Sequence, residues 1–128
     1  MDMKLELVSV PVADIDRAKA FYVDQVGFVA DHDVTVDETL RFVQLTPPGS
    51  ACSIVLDVTM TAMPPGAQKG LQVVVDDADA TYDALVGRGV AAEPVVEFPW
   101  GRFTFFADPD GNRWSVQQIV RPSRGPDA

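Results

Sequence analysis

Apolar Val10 and Val12 alternate with other positions, and the period then lengthens, with apolar side chains at Ala18, Phe21, Tyr22 and Val26. Alternation predicts a half-buried strand, and the longer spacing predicts one face of a helix. The same change recurs further on, from Val73 and Val75 to Ala78, Tyr82 and Leu85. An aspartate stands at each changeover. Asp14 and Asp77 suit the N-cap, where a side-chain oxygen accepts from an amide that the helix leaves unpaired. Gly27 and Gly89 suit the stop, where a left-handed residue is common.

These two stretches are one pattern used twice, because Val10, Val12, Asp14 and Asp16 match Val73, Val75, Asp77 and Asp79 at a constant offset of 63. The segment after each helix repeats as well. "RFVQLTPPGSACSIVL" (41–56) and "RFTFFADPDGNRWSVQQ" (102–118) are each a strand, a Pro/Gly turn and a second strand. Each half therefore reads β-α-β-β-β. The expected organisation is a single domain over 1–128: a first module at 1–60, a linker at 61–70, a second module at 71–120 and a tail at 121–128. The fold class is α+β. Each helix must bury its apolar stripe on one face of its sheet. Two tandem modules then predict a curved, eight-stranded mixed sheet, an incomplete barrel, with the helices on its outer side and a concave face free for a ligand.

Composition narrows the function. With 10 basic against 19 acidic residues, the net charge of −9 would repel a phosphate backbone, which argues against nucleic acid as partner. No apolar run approaches the roughly 20 residues that span a bilayer, and no signal peptide is evident, so a cytoplasmic protein with no membrane partner is expected. Cys52 is the only cysteine, so no disulfide closes within the chain.

Between two apolar stretches lies "DPDGN", Asp108 to Asn112. A calcium loop would need a bidentate glutamate where Ile119 stands, so the stretch reads as a turn whose Asp and Asn side chains bond their own backbone. With "VxVxDxDRAxxFYxxxxGF" in the first half and "RFTFFADPDGNRW" in the second, the chain resembles the vicinal oxygen chelate superfamily over about residues 4–119. That superfamily includes glyoxalase I, the bleomycin-resistance proteins and the extradiol dioxygenases. In its metal-using members, the first and last strands of each module supply the ligands to a divalent ion. Carried onto this chain, the resemblance places those positions at Leu7, Gly70 and Ser115, with Ser53 or Val55 as the fourth. Leucine and glycine have nothing to donate, and serine hydroxyls are poor ligands. The lone His32 is far in sequence from all four and reads as a surface residue. No metal and no cofactor are therefore expected.

Strand parity assigns Leu7, Ser9, Pro11, Gln72, Val74, Ser115 and Gln117 to the concave face. Trp100, in the "FPWGRF" turn, can close over that face. The expected ligand contacts are Ser9, Phe42, Gln72, Trp100, Phe103, Ser115 and Gln117, a neutral set mixing rings, hydroxyls and amides. Phe103 also reads as core, and Trp114 as packed on a helix. This set suits a small, aromatic or drug-like molecule held without metal, as the resistance binders of the resembled superfamily do. The alternative is a glyoxalase- or dioxygenase-like enzyme whose metal is held by Gln72, Asp57 or His32, or one using Asp57 or Glu97 as a base. Asp57 and Glu97 otherwise read as exposed residues at strand ends. By the resemblance, two chains pair as a homodimer.

Overall fold

The computed structural model describes residues 1–119; the expectation for the tail lies outside the described residues. The first module comprises β1 (Leu7–Pro11), α1 (Ile15–Ala20), β2 (Val29–Thr35), β3 (Arg41–Thr46) and β4 (Ser53–Asp57). Helix α1 runs on as a π-helical segment, Phe21–Val26. The second module repeats the order with β5 (Leu71–Val74), α2 (Ala78–Gly87), β6 (Val96–Phe98), β7 (Gly101–Ala107) and β8 (Arg113–Ile119). Asp14 and Asp77 cap the helices as the sequence predicts, accepting from the amides of Arg17 and Ala80 at 3.1 and 3.0 Å. Gly27 ends the first helix at a φ of 97°, a conformation that side chains other than glycine resist.

The tandem β-α-β-β-β architecture is as expected, and the eight strands divide into two sheets of four. Their orders are β1-β4-β3-β2 and β5-β8-β7-β6. In each sheet the first strand runs parallel to the last, and the remaining pairs are antiparallel. One face of each sheet packs into a single core. Val10, Val43, Leu45 and Leu56 from the first sheet meet Leu71, Phe106, Trp114 and Val116 from the second, around Ala18, Phe21 and Tyr22. The helices therefore glue the modules together as well as covering their own strands.

The "DPDGN" turn is where this join is fastened. Asp108 is buried, and its Oδ1 accepts from the amides of Asp110 and Asn112, as an Asx-type turn requires. Its Oδ2 accepts from the Tyr22 phenol at 2.7 Å and from Asn112 Nδ2 at 2.8 Å. The fully buried Asn112 also donates to the carbonyl of Pro11 at 2.7 Å and accepts from the amide of Gln68 at 3.1 Å. One turn thus holds the end of β1, the helix and the linker. Gly66 fits beneath it only because it has no side chain: a Cβ there would lie 2.2 Å from the carbonyl oxygen of Asp110.

On the helix side of the first sheet, Asp33 bonds Arg41 at 2.8 Å and Lys19 at 2.7 Å. These two cations, Arg41 foremost, hold its carboxyl well below the usual carboxylate range.

Candidate ligand-binding site

Opposite the core, each sheet has an outer face set by strand alternation. In the second sheet, Gln72 is paired with Ser115, Gln117 with Phe103, and Ser115 with Phe105. Five of the expected contacts thus share one surface. Gln72 Nε2 donates to Gln117 Oε1 at 2.6 Å, and Gln117 Nε2 donates to the carbonyl of Trp100 at 3.3 Å. The rings form a continuous row. Phe105 stacks on Phe103 with centroids 5.8 Å apart, Phe103 meets Phe98 edge-on at 5.5 Å, and Phe98 stacks on Trp100 at 5.4 Å. The Arg113 guanidinium covers the far end, 5.2 Å from the Phe105 centroid. Trp100 is 61% exposed and Phe98 41%, so the open end of the row offers flat apolar surface to solvent. Phe103 is buried, but within this outer layer rather than in the helix-side core.

In the first sheet the outer face carries Leu7, Ser9, Phe42, Gln44, Thr46, Ser53 and Val55. A β-bulge between Ala30 and His32 brings His32 opposite Gln44 and onto this face, with its ring 6.5 Å from Phe42. The same bulge turns Asp31 toward Thr46, whose hydroxyl it accepts. Thr46 Oγ1 lies 2.6 Å from Ser53 Oγ. Among the described residues, no hydrogen bond or ring contact joins Ser9 and Phe42 to the five on the second sheet. The sheets do share a cleft of about 320 Å³, lined by Ser53 and Cys52 on one side and by Gln68, Gly70 and Gln72 on the other.

The register settles which residue of β4 corresponds to Ser115. Ser115 lies beside Gln72 and Val55 beside Ser9, and Ser9 and Gln72 are equivalent under the offset of 63. The fourth position is therefore Val55, an alkyl side chain. Leu7, Val55, Gly70 and Ser115 together supply one hydroxyl and no imidazole or carboxylate, so they do not fit a divalent ion. Among the described residues, no three His, Cys, Asp or Glu side chains stand together as a metal site would require.

Asp57 departs from the exposed strand end expected of it. It is 2% exposed, and its carboxylate accepts from the amides of Met60 and Thr61 and from the Thr61 hydroxyl at 2.7, 3.3 and 2.5 Å. It anchors the start of the linker. Glu97 is exposed and lies opposite Arg102, off the face that carries Phe98.

Over residues 4–116 the sequence matches the Glyoxalase/Bleomycin resistance protein/Dioxygenase superfamily. The chain belongs to this superfamily. The uncharacterized protein YetH of Bacillus subtilis (strain 168) is 30% identical over 123 residues, 92% of this chain and 100% of YetH. Among solved structures, the chain is similar to TnmS3, an antibiotic binding protein from Streptomyces sp. CB03234. The TM-score is 0.86 at 40% identity, covering 93% of this chain and 98% of TnmS3. A glyoxalase/bleomycin resistance protein from the same strain superposes with a TM-score of 0.81 at 42% identity, over 90% of this chain and 100% of that one. The superfamily spans binders and enzymes, so membership fixes the fold, and the outer faces must indicate the chemistry.

Proposed function

We propose that this glyoxalase/bleomycin-resistance family member binds a flat, aromatic, drug-like molecule without a metal ion. The observation that carries the reading is the exposed ring row ending in Phe98 and Trp100, beside the amides of Gln72 and Gln117. A planar ligand stacks on such a row, and the amides fix its orientation. The similarity to TnmS3, an antibiotic binding protein, supports the same reading. An enzymatic role has less support: Asp57 is consumed by its turn, and the family's four ligand positions hold Leu7, Val55, Gly70 and Ser115.

The cleft between the sheets, about 320 Å³, is at the low end of the roughly 300–1,000 Å³ used by drug-sized ligands. Beside the ring row, Val96 and Ile119 leave further exposed apolar surface on the second sheet. A second copy of the chain, pairing as a homodimer, is the cover we propose for it. The test is a fluorescence titration of chelator-treated protein with a panel of aromatic antibiotics. Quenching of Trp100 by at least one of them is expected. No response across the panel would overturn the proposal.

A further inference from the structure

The outer face of the first sheet says what the ligand's polar end must be, and this step rests on the reading just proposed. Asp31, Thr46 and Ser53 form a chain of hydrogen bonds across three neighbouring strands. Its direction is fixed by proton count. A carboxylate only accepts, and a hydroxyl has one proton to give. Thr46 therefore spends its proton on Asp31. Ser53, 2.6 Å away, can keep its bond to Thr46 only by donating to Thr46 Oγ1. Ser53 Oγ is left with free lone pairs and no proton to offer. Ser53 is 5% exposed and lines the cleft that also reaches Gln72.

Among the described residues, Ser53 Oγ has no hydrogen-bond partner besides Thr46 Oγ1, so its lone pairs remain open to a ligand. Two features show that the chain of bonds depends on more than alternation. The β-bulge is what brings Asp31 to Thr46, and Thr46 is the residue bonded to both ends. We infer that Ser53 is a hydrogen-bond acceptor subsite, polarised by Asp31 through Thr46, and that it selects ligands carrying an N–H or O–H donor on the edge of their stacked ring system. Asp31 is a positioning residue in this scheme, since it acts through Thr46.

The test uses two flat cations of equal charge. 9-Aminoacridine carries N–H donors and 10-methylacridinium carries none. Calorimetric titration of the full chain should show 9-aminoacridine binding about five- to tenfold more tightly, the effect of one hydrogen bond. Ser53→Ala should bring the two affinities together. Asp31→Asn changes an exposed side chain, so it tests the same point without touching the buried serine. An amide at 31 can donate to Thr46, which frees Thr46 to donate to Ser53 and Ser53 to donate to the ligand, so the preference should shrink or reverse. Equal affinities in the parent protein, or a preference unchanged in both variants, would overturn the donor-selecting subsite while leaving the stacking site intact. Failure of both cations to bind the parent protein would overturn the planar-ligand reading and this inference with it.

Discussion

The phenol of Tyr22, on the first helix, donates a 2.7 Å hydrogen bond to the carboxylate of Asp108, 86 residues further along the chain. The same oxygen accepts from Trp114 Nε1 at 2.9 Å, so one buried hydroxyl joins the modules twice. Burial, with the Asp108 charge next, pushes the phenol's pKa far above its ordinary value. A raised pKa marks stability that is complete below the ordinary value, near 10, and lost as pH rises beyond it.

Tyr22→Phe removes that donor and acceptor together. It is expected to cost about 1–3 kcal/mol, because Trp114 Nε1 loses its partner and Asp108 keeps fewer donors. Urea unfolding at pH 7 measures the loss. Parent and variant should converge in stability above about pH 10, where ionisation of Tyr22 on unfolding weakens the parent alone. A constant gap from pH 7 to pH 11 would count against the buried-phenol account.

Gly66→Ala should be much worse than Gly49→Ala. Both glycines have positive φ, 83° and 81°, so each pays a left-handed cost of about 1–2 kcal/mol. At Gly49 nothing lies within 4 Å of the added carbon, whereas at Gly66 it meets the Asp110 carbonyl oxygen at 2.2 Å. The backbone of the "DPDGN" turn must shift to admit it. Thermal unfolding of the two variants should differ by several degrees, with Gly66→Ala the lower.

Much of this was legible in the sequence, and the parts that were not have physical reasons. The offset between Val10 and Val73 predicts both modules, and Asp14 and Asp77 mark both caps, because local chemistry decides those features. The turn at Asp108–Asn112 was readable as a turn. Its reach to Tyr22, Pro11 and Gln68 was not, since no local pattern specifies a contact between modules. Asp31 was missed because alternation assumes an unbroken register, and a bulge breaks it at that point. Phe98 was hidden for another reason: β6 is a strand of three residues, too short to show a period. Asp57 read as exposed because its partners Met60 and Thr61 follow it in the linker, where the fold of the chain, not the composition, decides burial.

The chain should carry no tightly bound divalent ion. Metal analysis of protein purified without chelators is expected to find well under one equivalent of zinc, nickel, manganese or iron, and chelator treatment should leave the melting temperature unchanged. The reason is the donor set, Leu7, Val55, Gly70 and Ser115.

Light scattering should give twice the mass of one chain. Replacing Val96 with Glu on the exposed outer edge of the second sheet should shift the population toward single chains, since a charge would be buried without a partner. An unchanged mass for this variant would place the contact elsewhere.

The most direct test of metal-free stacking is the affinity of chelator-treated protein for 9-aminoacridine, measured by calorimetry with and without Trp100. At 61% exposure, Trp100→Ala should leave the fold intact, while loss of one stacking ring, worth about 1–1.5 kcal/mol, lowers affinity about five- to tenfold. Binding by the parent protein and its weakening in Trp100→Ala is the predicted result. Binding that appears only after a divalent metal is added, or that is untouched by the loss of Trp100, would contradict the account.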